Sequence, residues 1–131
     1  MNMSVLSVHG RRGREKVIEK IIRDYLKTKL QTNNVFLETP KTIASDCVII
    51  NIVDRSKENR IDAVTASVYS YGSSKLDAAT LDERVRKVME DFDERVEISA
   101  CKLTGGSDSP DTSLKKYRYR SNFNITYMED Y

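Results

Sequence analysis

The sequence predicts an α+β fold: a mostly antiparallel, mixed β-sheet with two amphipathic helices packed on one face, in the order α-β-β-β-α-β-β. Three observations carry this. Apolar residues recur at helical spacing over residues 14–32 and again beyond Ser74. Residues 61–71 and 115–127 alternate side chains at the two-residue period of a half-buried strand. Polar, turn-rich segments separate the strands, which suits hairpins.

In the first helix Val17, Ile18, Ile21, Ile22, Tyr25, Leu26 and Leu30 share one face, and Glu15, Lys16, Glu19, Lys20, Arg23 and Lys27 take the other. Asn33 and Asn34 supply the stop, because asparagine tolerates the left-handed backbone that ends helices. Residues 34–38 read as a short edge strand closed by Pro40, which cannot donate to a sheet ladder. A β-branched run at 47–53 leads into the polar DRSKENR of 54–60, expected as a mobile hairpin tip. The returning strand puts Val64, Ala66 and Val68 on one face and Thr65, Ser67, Tyr69 and Tyr71 on the other.

Gly72 and Ser73 break that strand, and Ser74 with Asp77 three residues later forms a capping arrangement for a second helix. Its apolar stripe is Leu81, Val85, Val88, Met89 and Phe92, with Asp82, Glu83, Arg84, Arg86, Lys87, Glu90 and Asp91 expected in solvent. Residues 96–103 form the next strand, and 104–113 read as a mobile loop rich in glycine, serine and aspartate. On the last strand Tyr117, Tyr119, Phe123, Ile125 and Tyr127 share one face, opposite Arg118, Arg120, Asn122, Asn124 and Thr126. Tyr117 and Tyr119 are therefore expected beneath the helices.

The 131 residues suit one domain, with residues 1–13 as a flexible arm. Lysine and arginine number 22 against 20 acidic residues, so the net charge of +2 supplies no general attraction for phosphate. No apolar run approaches the roughly 18 residues that span a bilayer, and the N-terminus lacks a signal-peptide pattern, so an intracellular chain without membrane contact is expected. Cys47 and Cys101 lie far apart in strand-like segments and are expected as reduced thiols.

Catalytic chemistry finds little material. The only histidine, His9, has nothing nearby to orient it. Neither cysteine has a CxxC partner, and the Gly105–Gly106 pair does not open a helix as a phosphate loop would. The carboxylates lie among arginines and lysines on a helix face, where weak i,i+4 pairing is the ordinary role. The expectation is a non-enzyme with no metal and no cofactor.

Two basic features stand apart. Arg11, Arg12 and Arg14 occupy the N-terminal arm, and Lys115, Lys116, Arg118 and Arg120 alternate with Tyr117 and Tyr119. Cations interleaved with rings suit a single-stranded RNA platform, although strand alternation sends the two kinds of side chain to opposite faces. Thr65, Ser67, Tyr69, Tyr71, Asn122, Asn124 and Thr126 leave a polar but largely uncharged sheet face with arginines at one end. Charge depletion with tyrosine and arginine enrichment is an interface signal.

Residues 64–92, VTASVYSYGSSKLDAATLDERVRKVMEDF, run from a strand through Gly and Ser into an amphipathic helix, and residues 117–127, YRYRSNFNITY, form a closing strand patterned with aromatics, Ile and Tyr. Together with the element order, these stretches resemble the tail terminator proteins of long-tailed bacteriophages, a family also described as tail completion or minor capsid proteins. The resemblance covers most of the chain and implies a homo-oligomeric ring, usually a hexamer, at the head-proximal end of the virion tail. Such a ring caps the tail tube, stops its polymerisation and provides the surface for head-tail joining. Its implied partners are itself, the tail tube protein and a head completion or connector protein, with nucleic acid met only indirectly. Within it, Tyr69, Tyr71, Arg118, Arg120, Asn122 and Asn124 are candidate subunit contacts. Arg55, Lys57, Glu58, Asp108 and Asp111 are candidate partner contacts in the loops at 54–60 and 104–113. The alternatives are another head-completion or tail-tube ring protein, or a small single-stranded RNA-binding module.

Overall fold

The computed structural model describes residues 10–43, 45–58 and 61–128, with side chains from residue 18 onward. His9 and the side chains of Arg11, Arg12, Arg14 and Val17 lie outside the described residues. Helix α1 spans Gly10–Leu30, β1 Val35–Phe36, β2 Cys47–Glu58, β3 Ile61–Gly72, α2 Lys75–Met89, β4 Ile98–Asp108 and β5 Tyr117–Met128, and one 3-10 turn covers Phe92–Glu94. The sheet order is β1-β2-β3-β5-β4. Strand β1 pairs parallel with β2, and every other pair is antiparallel. The architecture is the α+β, mixed-sheet arrangement that the sequence predicts.

Both helices lie on one face. Ile18, Ile22, Tyr25, Leu26 and Leu30 of α1 and Leu81, Val85 and Met89 of α2 close over Val48, Ile50, Val64, Ala66, Val68, Phe123 and Ile125 of the sheet. Phe92, fully buried, fills the space beside Tyr25, with ring centroids 4.9 Å apart. Two bonds tie the helices together: Tyr25 Oη donates to the Val88 carbonyl, and Arg84 Nη2 donates to the Leu30 carbonyl at 3.1 Å. The second places a cation on the carbonyl end of α1, where the helix dipole favours it.

Helix α1 ends differently from the asparagine stop. Gln31 takes the left-handed conformation (φ 57°), and Thr32 N donates to the Lys27 carbonyl at 3.1 Å, closing a Schellman motif. Asn34 instead donates through Nδ2 to the Asp46 carbonyl. The helix also begins earlier than expected, taking in residues 10–13, since arginine is a good helix former and a single interior glycine costs only about 1 kcal/mol. At α2 the cap is as read: Ser74 Oγ accepts from Asp77 N at 3.1 Å. Gly72 is required just before it, because a Cβ there would lie 2.4 Å from Ala78 N.

Strands extend through both segments expected as loops. Residues 54–58 continue β2, paired with 61–65 beyond a bulge at Val53. Their side chains are exposed on both faces, so the segment reads as polar although its backbone is laddered. Residues 104–108 continue β4, with bulges at Ser99 and Thr104, and the connecting segment is 109–116. Gly106 (φ 145°) makes this pairing possible, since a Cβ there would lie 2.1 Å from the Arg120 carbonyl oxygen. At the other edge β1 is only two residues long, shorter than the 34–38 strand that its apolar character suggests.

Asp82 is a further correction. It is buried, not solvated: Ser121 Oγ donates to Oδ1 at 2.6 Å and Arg86 Nε reaches Oδ2 at 2.9 Å. Its position completes the inward spacing of Ala78, Val85 and Met89, which places it against the centre of β5. Tyr119 is half-buried on the helix side, but Tyr117 is 51% exposed, because its register partner is Gly72 at the end of the sheet.

Candidate functional site

The face of the sheet that no described helix covers is the main functional candidate. Register fixes its membership. Antiparallel partners point the same way, so Thr65↔Asn124↔Lys102, Ser67↔Asn122↔Gly105 and Tyr69↔Arg120↔Ser107 form three successive rows across β3, β5 and β4. Within these rows Thr65 Oγ1 bonds Asn124 Oδ1 at 3.0 Å and Ser67 Oγ bonds Asn122 Oδ1 at 2.7 Å. The asparagines are thereby oriented, with their amide N–H groups left as donors.

Beyond those rows lies Tyr71, paired with Arg118. The Arg118 guanidinium packs 4.6 Å from the Tyr69 ring centroid and 5.8 Å from that of Tyr71. Its Nε donates to the Ser109 carbonyl at 2.7 Å and its Nη1 to Tyr71 Oη at 3.3 Å. Tyr71 Oη in turn donates to Asp111 Oδ2 at 3.0 Å, and Ser113 Oγ and Leu114 N donate to Oδ1 at 2.8 and 3.1 Å. Arg118 Nη1 stands 3.5 Å from Asp111 Oδ2. The β4–β5 connection is therefore latched across the end of this face.

The electrostatics agree with a latch. Burial pushes the Asp111 carboxyl up, but the bonds from Ser113, Leu114 N–H and Tyr71 and the Arg118 charge outweigh it, leaving it below its ordinary value. Burial raises the Tyr71 hydroxyl, with Arg118 and Asp111 acting in opposite senses. The turn itself is closed by reciprocal backbone bonds between Asp111 and Lys116, both 3.0 Å, with Lys115 left-handed (φ 55°).

Not every candidate contact residue is available. Tyr71 is only 3% exposed and cannot present a surface to a neighbour, since its ring is buried with Cys47 and Ile49 in a cluster against which Phe36 and Ile43 pack, and its hydroxyl is held by Asp111 and Arg118. Arg118 is half-buried and spends its donors on Ser109 and Tyr71. Tyr69, Arg120 and Asn122 are half-buried, and Asn124 is exposed. Among the loop candidates, Arg55 turns to the helix side and pairs with Glu19 at 3.4 Å, Asp108 pairs with Lys75 at 3.4 Å, and Asp111 belongs to the latch. Lys57 and Glu58 lie exposed near the β2–β3 tip. Lys102 and Ser107 share the face with Arg120, which sequence reading misses because the β4 bulges shift the alternation.

The rings and cations of β5 do fall on opposite faces, and among the described residues the rings beside Arg118 are Tyr69 beneath it and the buried Tyr71. Elsewhere, Cys47 packs with Ile49 and Tyr71 on the helix-free side, while Cys101 packs into the main core. Burial pushes these thiols up to about 11 and about 12. Further clefts among the described residues include one of about 360 Å³ between Gln31, Asp46, Asp77 and Arg84 and one of about 340 Å³ between Asp24, Lys29, Asp91 and Arg95. Among the described residues no three Cys, His, Asp or Glu side chains converge as metal ligands, and no helix is long and apolar enough to cross a membrane. No family model and no curated protein matches this sequence.

Proposed function

We propose that the chain is a structural subunit of a bacteriophage virion, a tail terminator. It forms a homo-oligomeric ring, most simply a hexamer, that caps the tail tube, stops its polymerisation and presents the head-joining surface. The observation that carries this is the uncovered sheet face. Its centre on β3 and β5 holds Thr65, Ser67, Tyr69, Asn122 and Asn124, with Arg120 at one end and the charges of Asp54 on β2 and Lys102 on β4 at its sides, and an ordered, largely uncharged polar centre desolvates at lower cost than a charged one. The exposed end of the β2–β3 hairpin and the outer edge of β4 supply further ground for contact with the tube and the head completion protein.

The test is the mass of the purified protein by light scattering over a range of concentration and magnesium, followed by addition of tail tubes. A discrete species near six 15.0 kDa subunits, about 90 kDa, that arrests tube growth supports the proposal. A strict monomer that also leaves tube growth unchanged overturns it.

A further inference from the structure

We infer that the helix-free face receives carboxylates from a second copy of this chain, supplied by its exposed acidic run Glu90, Asp91, Asp93 and Glu94. The inference deepens the ring proposal and rests on it.

Two cations on this face have no carboxylate beside them, the nearest in their rows being Asp54 on β2, three strands from Lys102. Arg120 stands in register with Tyr69 and Ser107, and Lys102 with Asn124. Neither forms a salt bridge among the described residues. Arg118, two residues before Arg120, is already compensated by Asp111. The Nε of Arg120 is buried without a hydrogen-bond partner. An unsatisfied buried donor on a charged group costs about 1–3 kcal/mol or more, and a carboxylate brought to the guanidinium offsets that cost.

The complementary surface is on the same chain. Glu90, Asp91, Asp93 and Glu94 follow the α2 stripe and are all exposed. None of them forms a salt bridge among the described residues. They belong to the helix layer, whereas Arg120 and Lys102 lie on the other side of the sheet, so one molecule cannot pair them. Two molecules can. The contact is heterologous, joining different surfaces of each copy, and repetition of a heterologous contact generates a ring when the rotation closes. A phosphate backbone would suit Arg120 and Lys102 chemically, but the one ring in those rows, Tyr69, is half-buried and already covered by the Arg118 guanidinium instead of lying open for a base to stack. Carboxylates are therefore favoured.

The experiment compares association of four full-length chains by light scattering and sedimentation: wild type, Arg120→Glu with Lys102→Glu, Asp91→Lys with Asp93→Lys, and the chain carrying all four changes. Melting temperature and far-UV circular dichroism report whether each chain is folded. Each reversed pair should weaken association by about 100-fold or more, as like charges face each other, and the fourfold chain should recover it. An assembly indifferent to both reversals overturns this inference and leaves the ring proposal standing. Weakening by each pair without recovery in the fourfold chain overturns the assigned acidic partner. Wild type that never associates, alone or with tail tubes, overturns both. Should the Arg120 and Lys102 reversal abolish binding of a single-stranded oligonucleotide yet leave association intact, the face takes phosphate and the inference falls.

Discussion

The Tyr71 hydroxyl donates to the Asp111 carboxylate at 3.0 Å, joining the penultimate residue of β3 to the β4–β5 connection 40 residues later. Arg118 completes the group from β5 and draws the connection down over the helix-free face. This contact decides which part of that face is open, and its energetics are accessible to mutation.

Asp111→Ala removes the acceptor of three hydrogen bonds and the ion-pair partner of Arg118, and should destabilise the protein by about 1–3 kcal/mol. Amide exchange across residues 109–116 should accelerate more than exchange in β3. Tyr71→Phe combined with Asp111→Ala should cost less than the sum of the single changes, because both remove one shared bond. Full additivity in denaturant titrations would dissolve the latch.

The pH dependence follows from the depressed Asp111 carboxyl. A group whose folded pKa lies below its unfolded value, about 3.9 for aspartate, contributes stability that is fully present above that value. The contribution disappears as pH falls through the lower, folded pKa. Wild type should therefore lose stability below about pH 4 more steeply than Asp111→Asn, measured by urea unfolding at stepped pH.

Gly106→Ala and Gly72→Ala each drive a methyl group into backbone, at 2.1 Å from the Arg120 oxygen and 2.4 Å from Ala78 N. Each should cost about 1–3 kcal/mol or more. The failures differ in place: Gly106→Ala should deprotect the β4–β5 hairpin, whereas Gly72→Ala should loosen the start of α2. Hydrogen exchange resolved by peptide separates them.

Gln31→Gly and Lys115→Gly should each stabilise the fold, by about 0.5–1 kcal/mol, because both residues hold a left-handed backbone that strains an L side chain. An unchanged or lowered melting temperature in both would contradict those two backbone conformations.

The thiols of Cys47 and Cys101, raised by burial to about 11 and about 12, should resist alkylation at pH 8 in the native protein. Both should react promptly in urea. No disulfide between them is accessible, since β2 and β4 are separated by β3 and β5 and the two side chains face opposite sides of the sheet.

The sequence by itself determined the element order and most of the inward-facing residues. Period-two alternation in β3 and β5 and the 3.6-residue stripes of α1 and α2 are set by backbone geometry, so Val64, Val68, Phe123, Leu81 and Val85 could be assigned to the core without coordinates. The Ser74 cap was equally legible, because its bond spans only three residues. Tertiary structure alone decided the rest. Residues 54–58 and 104–108 look like loops because their side chains are exposed, and only pairing with a neighbouring strand shows them to be laddered. The bulges at Val53, Ser99 and Thr104 each reset which face follows, so Lys102 and Ser107 could not be placed beside Arg120 by counting. Asp82 and Tyr71 belong to polar groups whose members lie 35 to 47 residues apart, and such long-range bonds leave no local pattern. Burial of a polar side chain depends on what arrives from elsewhere in the chain, whereas periodicity depends only on the chain's own geometry.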